Sequence, residues 1–114
     1  MGITINGATP VFVEPDKYDN IDADKIEDAI TDKTKLLVLP FPNNPTGAIM
    51  SKSDIEEIAE VLKDTNIIVL ADEIYAELTY GRKHVSIAEI DGMRERTIIA
   101  SGFSKAYAMT GWRM

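Results

Sequence analysis

Four short apolar runs punctuate the chain: Thr9-Pro10-Val11-Phe12-Val13, Leu36-Leu37-Val38-Leu39, Ile67-Ile68-Val69-Leu70-Ala71 and Thr97-Ile98-Ile99-Ala100. Three of them show no polar alternation, the pattern of strands buried on both faces of a parallel sheet. Helical patterns lie between the runs. Ile55, Ile58, Ala59 and Leu62 recur at i, i+3, i+4 and i+7. That spacing predicts an amphipathic helix over 51–65, with Ser51 or Ser53 as N-cap and Glu56 completing a capping box with Ser53. A shorter helix is expected to start near Asp22 and to turn Ile26, Ala29 and Ile30 inward. The acidic residues on the outer faces of both helices read as solvated surface. Strands alternating with helices predict an α/β sheet of right-handed βαβ units.

Composition narrows what such a sheet can do. A unit of 114 residues would bury about two-thirds of its unfolded surface, enough for one core and too little for a second full domain. With no cysteine and one histidine, a disulfide frame, a thiol nucleophile and a thiolate or zinc centre are excluded. The apolar runs fall far short of the ~20 residues needed to cross a bilayer, and the amino terminus has no basic-then-apolar signal segment. A cytoplasmic protein without a membrane partner is expected. Charge is uneven: residues 1–93 carry 8 basic and 18 acidic groups, net −10, whereas 94–114 carry Arg94, Arg96, Lys105 and Arg113 against Glu95, net +3. An acidic body with a basic end disfavours nucleic acid, which wants a broad positive surface, and suits a small anion at that end.

Ligands of open α/β sheets sit outside the carboxyl ends of the strands. The residues just after each apolar run are unusually polar. They are Pro40-Phe41-Pro42-Asn43-Asn44-Pro45-Thr46-Gly47, then Asp72-Glu73-Ile74-Tyr75, then Ser101-Gly102-Phe103-Ser104-Lys105 followed by Arg113. A lysine attacks a carbonyl only when deprotonated, and a common device is to hold it as a Schiff base in a partly desolvated site. Arg113 offers a five-donor fork suited to phosphate, and Ser104 a hydroxyl. Carbonyl and phosphate together suggest pyridoxal 5'-phosphate. That cofactor also needs a carboxylate opposite its ring nitrogen, for which Asp72 is the candidate, and neutral donors at its ring oxygen, which Asn44 and Tyr75 can supply.

Each residue also has a plainer reading. Asp72 could be a helix N-cap, Asn44-Pro45-Thr46-Gly47 an ordinary turn, Tyr75 a packing residue, and Lys105 and Arg113 surface charge. His84 reads as a loop residue rather than a base, and Met109 and Trp112 as packing residues. The joint occurrence, in order and at strand ends, outweighs these readings.

Asn43-Asn44-Pro45-Thr46-Gly47, Ala71-Asp72-Glu73-Ile74-Tyr75 and Ser101-Gly102-Phe103-Ser104-Lys105-Ala106-Tyr107-Ala108-Met109-Thr110-Gly111-Trp112-Arg113 closely resemble, in order and spacing, the central signatures of class I/II aminotransferases of PLP fold type I. The resemblance covers nearly the whole chain. It implies a three-layer αβα large domain with a mostly parallel sheet, of which residues 1–114 are a part, without the amino-terminal portion and the carboxy-terminal small domain. It implies a transaminase passing an amino group between an amino acid and a 2-oxo acid through a lysine aldimine, homodimeric at full length. By the same resemblance Lys105 would hold the cofactor and shuttle a proton, Asp72 would pair with the pyridinium nitrogen, and Asn44 and Tyr75 would contact the ring oxygen. Arg113 with Ser104 would hold the phosphate, and the Asn44-Pro45 peptide would be cis. The stretch Asp72–Tyr80 looks most like the bacterial branch acting on aspartate or aromatic amino acids.

The departures matter too. Many members carry serine three residues before the lysine, where this chain has Gly102, so phosphate contact falls to Ser104 or Ser101. The glycine loop, the ring-stacking aromatic and the substrate-carboxylate arginine of the family lie outside the chain. A fragment is therefore expected, one that does not transaminate alone, with the run at 9–13 separated from the other strands and an exposed edge. Ring-holding residues are shared with carbon-sulfur lyases and cyclopropane-carboxylate synthases, whose reactions diverge at substrate contacts. A rival of another class is a P-loop NTPase, since Ile67–Glu73 has the form of a Walker B strand; the chain contains no G-x-x-x-x-G-K-[ST] to accompany it. A non-catalytic core fragment is the third reading.

Overall fold

Three of the four apolar runs pair into a parallel sheet, and the helix between the first two covers one side of it. The computed structural model describes residues 2–17 and 21–113. In chain order the elements are α1 (Gly2–Ile5), α2 (Ala23–Ala29), β1 (Leu36–Leu39), α3 (Lys52–Leu62), β2 (Ile68–Asp72), two 3₁₀ turns (Ile87–Glu89 and Arg94–Arg96), β3 (Thr97–Ala100) and α4 (Phe103–Ala106). The strands lie in the order β1-β2-β3. The register aligns Leu37 with Val69 and Thr97, and Leu39 with Ala71 and Ile99.

Alternation along β1 and β2 divides the sheet into unlike faces, whereas in β3 both Ile98 and Ile99 are exposed. Leu39, Val69 and Ala71 are buried and join Ile55, Ile58, Ala59 and Leu62 of α3, Ala23 and Ile26 of α2, and Ile87 and Met93 in one core. On the opposite face Leu36, Val38, Ile68 and Ile98 are 37–58% exposed. The expectation of strands buried on both faces is therefore corrected: among the described residues, helices cover one face only.

The helices form as their apolar spacing dictates, with different ends. Ser51 Oγ accepts from Asp54 N at 3.2 Å while Asp54 Oδ2 accepts from Ser51 N at 2.7 Å. This capping box replaces the expected Ser53–Glu56 pair, because Ser53 Oγ sits 2.8 Å from Ser51 Oγ and Glu56 pairs with Lys52 at 3.4 Å. The helix stops at Leu62 rather than 65. There Arg96 donates to Leu62 O and, at 2.6 Å, to Thr65 O, satisfying carbonyls at the helix end with a cation. Arg96, one of the basic carboxy-terminal residues, is thus spent on the fold. Asp22 caps α2 by accepting from Asp24 N at 3.0 Å. Ile30 turns extended immediately after that helix and is half-buried, as is Ala29.

The run at 9–13 is not a strand. Val11 is 70% and Phe12 82% exposed. An apolar run becomes a strand only where a neighbouring backbone satisfies its amides, and among the described residues none does so here; only Val13 packs against the core.

Candidate functional site

The loop after β1 is tied down by its own side chains. Asn43 N donates to Ala48 O and Gly47 N to Asn43 O, both at 2.9 Å, and Thr46 Oγ1 donates to Asn43 Oδ1 at 3.0 Å. Gly47 takes φ +74°, a conformation that favours glycine. The Phe41-Pro42 and Asn44-Pro45 peptides are both cis, the second as the resemblance implied. With Asn43 holding the turn, Asn44 reaches across 31 residues of sequence, its Nδ2 donating to Tyr75 Oη at 3.0 Å.

Tyr75 is presented by the segment that follows β2. Asp72, the last residue of the strand, is half-buried and accepts from Ile74 N through Oδ1 at 3.3 Å. An aspartate bonding its own backbone two residues on sets a turn. Ala76 N then donates to Glu73 O and Leu78 N to Tyr75 O, both at 2.9 Å. The segment is therefore a string of turns and not a helix, so Asp72 is not a helix N-cap.

After β3, Gly102 leads into α4, which carries Ser104 and Lys105. Lys105 Nζ lies 5.7 Å from the centroid of the Tyr75 ring, within cation–π reach. Asn44, Tyr75 and Lys105, one from each strand tip, are thus brought together. Asp72 stands at the root of the same tip. Ser101, Lys105 and Arg113 are exposed and Ser104 half-buried, and Arg113 takes φ +57°. Among the described residues the side chains of Ser101, Ser104 and Arg113 bond to none of the other candidates. Trp112 is 71% exposed, so its reading as a packing residue is corrected, whereas Met109 is half-buried. A cavity of about 420 Å³ opens beside the Asn44–Tyr75 pair, lined also by Pro45, Leu78 and Tyr80.

Sequence reasoning passed over a second cluster. Glu73 is 8% exposed; Ser86 Oγ donates to its Oε1 at 2.6 Å, and His84 Nε2 lies 3.4 Å from the same oxygen. Burial pushes the Glu73 carboxyl up, but the His84 ring and the Ser86 hydroxyl outweigh it and hold the group below its ordinary value. His84 sits in a loop, as expected, yet its ring nitrogens are buried and have no hydrogen-bond partner among the described residues. One signal was available: Ser86-Ile87-Ala88-Glu89 has the S-x-x-E form of a capping box, and it caps the first 3₁₀ turn. The cluster also bears on the nucleotide-hydrolysing rival, whose strand-end glutamate would have to face a water and a metal. Here Glu73 is buried against Ser86.

Comparison with known proteins gives the chain a family. A family model described as aminotransferase class I and II matches residues 1–114. The Bacillus subtilis protein YugH is 51% identical over 114 residues, covering 98% of this chain and 30% of its own length. An aspartate aminotransferase of Pyrococcus abyssi is 44% identical over 116 residues, with the same 98% and 30% coverage. The crystal structure of an aromatic aminotransferase from Pyrococcus horikoshii superposes with a TM-score of 0.91 at 43% identity, over 97% of this chain and 30% of that one. The chain thus spans about 30% of the length of the curated relatives it matches. The whole-chain family match and a parallel α/β sheet that superposes on such an enzyme lead to one conclusion: the chain belongs to the class I and II aminotransferases, a pyridoxal-phosphate-dependent family.

Proposed function

We propose that residues 1–114 are part of the large, cofactor-binding domain of an enzyme that moves an amino group between an amino acid, of aspartate or aromatic type, and a 2-oxo acid. The observation that carries this reading is the meeting of Asn44, Tyr75 and Lys105 at three adjacent strand tips. The donor set suits pyridoxal phosphate: an amide and a phenol already joined, an amine beside them, and a carboxylate at the strand end. When bound, that cofactor supplies an electron sink for the bond broken at the substrate's α-carbon.

The remaining work falls to the chain's own residues. Lys105 Nζ would hold the cofactor and, when free, would move the proton between the substrate α-carbon and the cofactor's aldehyde-derived carbon. The Asp72 carboxylate keeps the ring nitrogen protonated, and the Asn44 amide and Tyr75 hydroxyl donate to the ring oxygen. Ser104, Ser101 and Arg113 hold the phosphate, the arginine by its planar fork. The same reading makes the intact enzyme a cytoplasmic homodimer of amino-acid biosynthesis. Exposed Phe103 and Tyr107 offer a second subunit apolar surface beside the site.

Loading the full-length enzyme with pyridoxal phosphate, reducing with borohydride and mapping peptides tests the assignment. Label is expected on the peptide carrying Lys105 and absent from a Lys105→Ala variant. Label scattered over surface lysines would overturn it.

A further inference from the structure

The Glu73 cluster lies outside the chemistry assigned above, yet it is joined to it by one peptide bond. Side chains alternate along a strand, so Ile68, Leu70 and Asp72 share one side and Val69, Ala71 and Glu73 the other. Their burial follows that division: Val69, Ala71 and Glu73 are buried, while Asp72 is half-buried.

Glu73 is held at three points. Its N–H donates to Ala100 O at 2.8 Å, extending the β2–β3 ladder by one rung, and its C=O accepts from Ala76 N at 2.9 Å, closing the first turn toward Tyr75. Its carboxylate receives the 2.6 Å bond from Ser86, the short length of a charge-assisted contact. The residue on the other side of that bond is itself fixed. Ser86 accepts from Ala88 N at 3.3 Å and donates its N–H to Glu89 at 3.2 Å, and the neighbouring Ile87 is 3% exposed in the core.

A buried carboxylate is costly unless fully paired, and an apolar residue of similar size would fill the space at less expense in stability. Retaining an acid here makes sense where position matters more than stability. We propose that Glu73, gripped by Ser86 and flanked by His84, is a positioning residue: from the side opposite the cofactor it fixes the Asp72–Tyr75 turn and so aims both groups. This rests on the reading of Asp72 and Tyr75 as cofactor contacts. His84 closes the cluster, and an open cavity of about 700 Å³ on that side is lined also by the charged residues Arg82, Lys83, Glu77 and Glu89.

The test compares full-length wild type, Glu73→Ala, Glu73→Gln and Ser86→Ala enzymes loaded with pyridoxal phosphate. Glu73→Ala is expected to lower kcat by about 10- to 100-fold, as displacement of a reacting group by less than an ångström does, with KM for the amino donor nearly unchanged. The pH midpoint of the cofactor's visible absorption band should move upward, because a displaced Asp72 protonates the ring nitrogen less firmly. Glu73→Gln, whose amide oxygen still accepts from Ser86, should restore most of both; Ser86→Ala should fall between and carries the test if Glu73→Ala does not fold. Folded, fully loaded Glu73→Ala and Ser86→Ala enzymes with wild-type kcat and midpoint would overturn the proposal. Equal losses in all three variants that track reduced cofactor content would overturn it too. If wild type labels at Lys105 and the variants match it, only this inference fails; if wild type does not label there, the functional reading fails first.

Discussion

The tips of β1 and β2 are built differently from the tip of β3. The first two are fastened by the protein itself: Asn43 ties one loop, Asp72 sets the other's first turn, Asn44 and Tyr75 join them, and Glu73 and Ser86 anchor the second from beneath. The third carries Lys105 and Arg113 on exposed backbone, with Phe103, Tyr107 and Trp112 51–71% open to solvent. Neutral and acidic groups are therefore preorganised, whereas the cationic groups touch little beyond the Tyr75 ring. In the proposed enzyme the anionic ligand itself would complete the third tip, because fixing long cationic side chains costs entropy that only a bound counter-charge returns.

The sharpest way to break this comparison is to change one group on each side of it in the intact enzyme. Lys105→Ala should reduce turnover to background, since it removes both the attachment point and the proton carrier. Asp72→Asn should leave the turn in place, because the amide oxygen can still accept from Ile74 N, yet cost roughly 10³-fold or more in kcat, about 4 kcal/mol of barrier. A near-normal Asp72→Asn enzyme would show that preorganisation of the second tip has nothing to do with charge at a ring nitrogen.

Stability should divide along the same line. Ile58, fully buried in the core on α3, is expected to cost about 2–5 kcal/mol as Ile58→Ala. Trp112→Ala, on the third tip, should stay within roughly 0.5 kcal/mol despite removing a far larger side chain. Chemical denaturation of the two variants measures the contrast; equal losses would mean that the third tip is packed in solution.

How far all this could be read beforehand follows the same division. The α3 stripe was legible because it is a local period, with Ile55, Ile58, Ala59 and Leu62 all buried, and the β2 run because an unbroken apolar stretch of that length marks a strand. One-sided burial of Leu36, Val38 and Ile98 was not, since an apolar run reports that a strand can be covered, not what covers it. The run at 9–13 failed for a related reason: Val11 and Phe12 have strand character but no backbone ladder to join. At the site, Asn44, Asp72, Tyr75 and Lys105 announced themselves by lying just past strand ends. Glu73 lay there too, but its partner stands 13 residues on, behind turns whose geometry no local period encodes, and its neighbour His84 read as an ordinary loop residue.

The smallest effect expected is also the one that probes the hidden anchor directly. In the folded chain burial raises the Glu73 pKa, but the His84 ring and Ser86 hydroxyl lower it by more, leaving it below its ordinary value of 4.5. A carboxyl whose folded pKa is depressed contributes stability that is present above the unfolded value and disappears as pH falls through the folded one. The melting temperature of the wild type should therefore exceed that of Glu73→Gln by a constant margin from neutral pH down to about 4.5, and the margin should shrink below that. Other carboxylates titrate in the same range but do so equally in both proteins, so the difference reports Glu73 together with its contacts to His84 and Ser86. A margin that stays constant well below pH 4.5, or widens there, would mean that Glu73 is not held as a carboxylate by its two neighbours, and the second strand tip would then lose the anchor that distinguishes it from the third.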